Sequence, residues 1–281
     1  MKATAMSRRF AGSHLSVSYS TRGAFVPVWM AQHVASLAGM DGIDVDATSA
    51  VSAWMASRGG SRLAADIPIR SVWTSVDGVK GARLRRIIDS SQQSSQEDAP
   101  CLIVHLPASI AVRELARIHS FLRENSPTPN FAIGLPPPSL KGGRPHLVLL
   151  GAIRRFAEEW ELDVAIDLAG RFDPTWEAEA AVARLGDRLR VIRLTGSASA
   201  RSAVGRDRVA CRALHAALDR ERPLEIAVAS AGPVPFPITP RAAAASAARA
   251  QEYISERAAI HAQALREGIS RYEGTPSSRG G

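Results

Sequence analysis

Eight times along this chain a short apolar run ends in a polar or glycine residue, and a helix-patterned segment follows. The runs are HLSVSY (14–19), GIDVD (42–46), IRSVW (69–73), CLIVHL (101–106), FAIGL (131–135), LDVAIDL (162–168), LRVIRL (189–194) and LEIAVA (224–229). Short apolar runs alternating with helices build parallel sheets, and eight such units close one into a (β/α)8 TIM barrel. The 281 residues suit one such domain. We place it at 14–268, between a flexible N-terminal segment (1–13) and a disordered tail (269–281, ending EGTPSSRGG).

Composition narrows the class further. Apolar residues make up 46% of the chain, enough for a large core. No apolar stretch approaches the roughly 20 residues that span a bilayer. The opening MKATAMSRRFAGSH has no apolar h-region, so no secretory signal is expected and the location read from sequence is cytoplasmic. Cys101 and Cys211 stand far apart in apolar runs and read as buried thiols of a reducing compartment. The net charge of +8 is dispersed among helix arginines beside acids, as in AIRRFAEEWE (152–161), with no block of like charges. That pattern describes a solvated surface better than a nucleic-acid stripe.

Several helices are marked. Leu149, Ile153, Phe156 and Trp160 form one stripe over 145–160, with Pro145 in the first turn. Ala111, Leu115, Ile118 and Leu122 repeat it over 110–124, with Ser109 as N-cap. The helix 174–185 opens on Asp173-Pro174 and ends at Gly186. Helix 25–38 carries Phe25, Val28, Trp29 and Leu37, and helix 208–220 carries Cys211, Leu214 and Leu218. The alanine-rich stretch 241–268 is a helix that closes the barrel or offers a homodimer face. Polar residues 89–100 and the Pro/Gly-rich 136–145 read as loops.

Barrel strands alternate side chains between the helices and the barrel interior. Setting the bulky apolar residues outward leaves Asp44 and Asp46 inward on the second run, Ile103 and His105 on the fourth, and Ala132 and Gly134 on the fifth. It leaves Ala165 and Asp167 on the sixth, Val191 and Arg193 on the seventh, and Glu225 and Ala227 on the eighth. Asp46, His105, Asp167 and Arg193 then meet at the mouth, where barrel chemistry sits, with Asp44 and Glu225 a layer deeper. An Asp167–Arg193 pair would offset the cost of burying either charge. That pair reads equally as a structural ion pair or as part of a site.

GMDGIDVDA (39–47), LIVHLPA (102–108), LDVAIDLAGR (162–171), DRLRVIRLTG (187–196) and ALHAALDRERPLEIAV (213–228) resemble the xylose isomerase-like TIM barrels. This is the sugar phosphate isomerase/epimerase group, which includes the endonuclease IV branch. The resemblance spans roughly 14 to 230. RLTG (193–196) and LPAS (106–109) also resemble, more weakly, a TIM-barrel group of unknown function. The main resemblance implies an isomerase or epimerase acting on a sugar or sugar phosphate. In the family a divalent metal is held by Glu on strand five, Asp on strand six, His near strand seven and Glu on strand eight. The matching positions here are Gly134, Asp167, Arg193 and Ala227. The resemblance therefore implies a protein diverged from metal-dependent chemistry: no cofactor is predicted, with a divalent metal on an incomplete ligand set as the alternative.

Under the enzyme reading, His105 is the acid/base, and Asp46 and Asp167 orient it or accept a proton. Arg193 and Arg206 contact an anion. Gly196 and Ser197, in the small-residue loop 195–208, cradle it, and Lys141 reaches in from the fifth loop. The alternative is a non-catalytic barrel binding a carbohydrate or anion, and a weaker one is nucleic-acid binding. No Walker or Rossmann glycine pattern and no hydrolase elbow occurs.

Overall fold

The computed structural model describes residues 15–23, 26–57, 67–91, 100–106, 112–126, 128, 130–135, 147–168, 178–195, 214, 216–218, 222–229 and 240–266. Eight parallel strands close into a barrel in sequence order: β1 (Leu15–Ser20), β2 (Gly42–Ala47), β3 (Ile69–Ser75), β4 (Cys101–His105), β5 (Phe131–Leu135), β6 (Asp163–Leu168), β7 (Leu189–Thr195) and β8 (Leu224–Ala229). β1 and β8 seal the ring through six register pairs, from Leu15↔Leu224 to Ser20↔Ala229. The helices are α1 (Val28–Ala38), α2 (Ala50–Ser57), α3 (Ala82–Ser91), α4 (Val112–Asn125), α5 (Leu147–Glu159), α6 (Ala178–Leu185) and α7 (Pro240–Arg266).

The sequence runs coincide with all eight strands to within a residue or two. This follows from the two-residue period of a strand, whose outward side chains must meet the helices. Ile43, Val45, Leu102, Val104, Ile133, Val164, Ile166, Ile192, Ile226 and Val228 join helix residues in one large buried cluster. Inside the ring sits a separate small cluster of Trp73, Ile103, Ala132, Ala165, Val191 and Ala227. Five of these six are the residues that alternation turns inward. Trp73 is the large member, and the alanines beside it leave the room it needs.

Helix ends differ in detail from the sequence pattern. α1 stops at Gly39, whose φ of 70° lets its N–H reach back to the carbonyls of Ala35 and Ser36. Leu37, which periodicity places in that helix's apolar set, is 52% exposed. Trp160 lies just beyond α5, in the turn before β6. α3 runs to Ser91, into the polar stretch whose composition reads as a loop. The alanine-rich α7 closes the barrel: Ala244, Ala247, Ala250, Ile254 and Ala258 are buried along one face. α7 packs on α1, and Gln251 Nε2 donates to the Gly39 carbonyl at 2.6 Å. Small side chains there let two helices approach closely. Residues 1–13 and 269–281, Ser109, the Asp173-Pro174 cap, Cys211 and the loop 136–145 lie outside the described residues.

Candidate functional site

The strand register puts Asp167 beside Arg193 and Arg193 beside Ala227, as the inward pattern requires. Arg193, however, turns mainly across the barrel. Its Nε donates to Asp44 Oδ2 at 2.8 Å, and its NH1 lies 3.5 Å from Asp167 Oδ2. The guanidinium carbon sits 4.1 Å from the centroid of the Trp73 ring, a cation–π contact that covers its flat face. The side chains of Arg193, Asp44 and Asp167 are fully enclosed. Burial works against a charged guanidinium, but Asp44, Asp167 and Asp46 outweigh it and hold Arg193 more firmly protonated.

Asp44 is the hub of the interior. Ser20 and Ser71 donate hydroxyls to its two oxygens, Ser71 at 2.7 Å from Oδ1. The same Ser71 hydroxyl lies 3.0 Å from Glu225 Oε1. One hydroxyl has one proton, so it cannot donate to both carboxylates. Since the Ser71 proton goes to Asp44 Oδ1, the contact with Glu225 is a hydrogen bond when Glu225 carries a proton and donates to Ser71. Burial, reinforced by the Asp44 charge, pushes Glu225 up to about 7, in keeping with that arrangement.

The mouth carries Asp46, His105 and a residue that strand alternation does not single out, Arg22. Thr48 holds Asp46 Oδ1 through its backbone N–H at 3.0 Å and its hydroxyl at 2.7 Å. Burial opposes ionisation of Asp46, but Arg193, these Thr48 bonds and Arg22 keep it below the usual carboxylate range. Arg22 NH1 lies 2.7 Å from Asp167 Oδ2 and 4.0 Å from Asp46 Oδ2. His105 pairs in register with Gly134, and its ring lies 6.3 Å from that of Trp73. Burial, Arg22 and Arg193 together depress His105 to about 4, so it is neutral at pH 7.

The structure thus gathers Asp46, His105, Asp167 and Arg193, with Asp44 and Glu225 below them. It differs from the sequence expectation in what they do to one another. Arg193 donates to Asp44 through Nε and lies 3.5 Å from Asp167, while its two terminal nitrogens make no hydrogen bond. Asp167 is enclosed rather than solvated. Lys141, Gly196, Ser197 and Arg206 lie outside the described residues. Arg22 escapes the sequence pattern because it lies past the end of a strand, where alternation says nothing. Its one sequence signal is the polar STRG ending (20–23) at the mouth side of β1.

Gly134 stands where the resemblance puts a strand-five carboxylate. A Cβ there would sit 2.8 Å from Trp73 Cζ3 and 2.8 Å from Ile103 Cγ2. The indole fills the space a longer side chain would need. We expect Gly134→Ala to cost about 1–3 kcal/mol by overpacking. Chemical denaturation measures this, and the same substitution should cost less in a Trp73→Leu background, where one of the two close contacts is gone.

Comparison with known proteins agrees at the level of the fold. No family model matches the chain, and no curated protein matches it. Among solved structures it is similar to D-allulose 3-epimerase from Methylomonas sp. in complex with D-allulose. The TM-score is 0.53, with 15% identity over 86% of this chain and 97% of that one. It is also similar to D-psicose 3-epimerase with D-tagatose from Clostridium cellulolyticum H10, at TM-score 0.53 and 10% identity, over 86% of this chain and 98% of that one. The chain has the barrel fold of these sugar epimerases. Among the described residues no helix is long and apolar enough to cross a membrane.

Proposed function

We propose that this protein is a sugar isomerase/epimerase-like barrel that binds carbohydrate at its mouth without a divalent metal. The observation that carries this reading is Arg193, seated between Asp44 and Asp167 at 2.8 and 3.5 Å. A divalent cation needs several converging oxygen or nitrogen donors. Of the four positions the resemblance assigns to metal ligands, Gly134 and Ala227 offer no donor and Arg193 offers a cation. Among the described residues no three His, Cys, Asp or Glu side chains converge as a ligand group. The donor set does not fit a metal, and a tethered guanidinium supplies the positive charge instead.

His105 and Asp46 remain at the mouth; the enzyme reading makes His105 the acid/base and has Asp46 and Asp167 orient it or accept a proton. A histidine held near 4 and a carboxylate held below its usual range are weak bases. This favours recognition over turnover. The fold comparison supports a carbohydrate ligand, since the similar barrels are described with D-allulose and D-tagatose.

The test is elemental analysis of protein purified without chelator, together with calorimetric titration of D-allulose before and after EDTA. We expect no stoichiometric metal and the same affinity in both titrations. Stoichiometric Mn, Mg, Co or Zn, or binding abolished by EDTA, would overturn the reading. Solvent deuterium appearing in D-allulose incubated with the protein in D2O would favour the enzyme reading instead.

A further inference from the structure

We propose that Arg22, with Asp46 and His105, forms a clamp for a vicinal diol and that this clamp selects uncharged sugars over sugar phosphates. The inference rests on the carbohydrate reading and names its ligand class.

Among the described residues, the guanidiniums of Arg193 and Arg22 reach the carboxylates at the mouth, and they differ in access. The Arg193 side chain is 0% exposed, whereas that of Arg22 is 25% exposed. Arg22 is therefore the described cation that a ligand can touch. Its backbone is fixed at the lip of the barrel. Arg22 N donates to Ser20 Oγ at 3.3 Å, Thr21 N to the Asp44 carbonyl at 2.9 Å, and Asp46 N to Thr21 Oγ1 at 2.7 Å. These bonds tie the end of β1 to β2, so the arginine projects from rigid structure.

The donors and acceptors are arranged for hydroxyls. Asp46 Oδ1 is occupied by Thr48, which leaves Oδ2, facing Arg22, as an acceptor. Arg22 contacts carboxylates only through NH1 among the described residues, so its other N–H groups remain as donors. Adjacent sugar hydroxyls can donate to Asp46 Oδ2 while accepting from Arg22. Neutral His105 at the same lip supplies one donor and one acceptor.

Among the described residues, charge disfavours a phosphate. Asp44, Asp46 and Asp167 carry three negative charges against two positive ones from Arg22 and Arg193, before any share from Glu225. The described site is therefore net negative. A phosphate dianion brought into this partly desolvated mouth would be repelled far more than in water.

Calorimetric titration of D-tagatose and D-tagatose 6-phosphate into wild type, Arg22→Gln and Arg22→Lys tests this. We expect wild type to bind D-tagatose about tenfold or more tighter than its phosphate. Arg22→Gln should lose about tenfold or more for D-tagatose, and Arg22→Lys, which keeps the charge and the fold, should lose an intermediate amount. Tighter binding of the phosphate by wild type overturns the selectivity while leaving the carbohydrate reading intact. Unchanged D-tagatose affinity in either variant overturns the role of Arg22. Binding of neither sugar by wild type overturns the carbohydrate reading itself.

Discussion

Replacing Arg193 by methionine should destabilise the barrel by about 3–5 kcal/mol, the usual cost of stranding buried charge. The substitution keeps length and apolar contact with Trp73 but removes the cation. Asp44 then loses its counter-charge in an interior with no solvent access to its side chain, while Asp167 keeps Arg22 at 2.7 Å. The loss is electrostatic, so it should be reversible at the second site. Asp44→Asn in the Arg193→Met background should restore more than half of it, while Asp44→Asn alone should destabilise because Arg193 then loses its nearest counter-charge. Equilibrium urea denaturation of the four proteins gives the coupling energy directly. If the two losses simply add, Arg193 and Asp44 do not act as a unit, and charge pairing is not what holds the interior together.

The second large effect is a cancellation in the pH dependence of stability. Glu225 is raised to about 7 in the folded barrel from an ordinary value of 4.5. Between those values the folded state holds more protons than the unfolded chain, so stability falls as pH rises, by about 3 kcal/mol in all. His105 is lowered from 6.5 to about 4. Between those values the unfolded chain holds more protons, so stability falls as pH drops. The two windows overlap from about 4.5 to 6.5, with opposite signs. Wild type should show a shallow dependence there, and single variants should expose each slope. Glu225→Gln should lose stability steadily on acidification from about 6.5, where the His105 window opens. His105→Asn should instead gain stability on acidification from about 7 to 4.5, across the Glu225 window. Denaturation midpoints at half-unit pH steps measure all three. Parallel profiles for the two variants would refute the assignment of a protonated Glu225 beneath a neutral His105.

Both predictions concern residues whose positions are legible in the sequence but whose relationships are not. Asp44, Asp46, His105, Asp167, Arg193 and Glu225 are each turned inward by strand alternation, which is a local property. That Asp167 and Arg193 are neighbours also follows, because β6 and β7 are consecutive. The shortest contact of Arg193 is instead with Asp44, 149 positions earlier and across the ring. A long side chain reaching across a barrel crosses several strands, and no local pattern records where its tip arrives. The Ser71 hydroxyl joins Asp44 to Glu225, itself 154 positions from Ser71, for the same reason.

By itself the sequence determined the barrel. Eight two-period strands alternating with helices, in short connections, leave an eight-stranded ring as the arrangement that buries both sets of apolar faces. It also determined that Gly134 and Ala227 carry no ligand atom, because that is a matter of residue identity. The tertiary structure decided what surrounds them. Closure of the ring brings Trp73 over Gly134 and lays its indole against the Arg193 guanidinium. It also brings Arg22 to Asp167 from beyond the end of β1. Charge pairing in a low-dielectric interior depends on distance through space, and only the closed fold sets that distance.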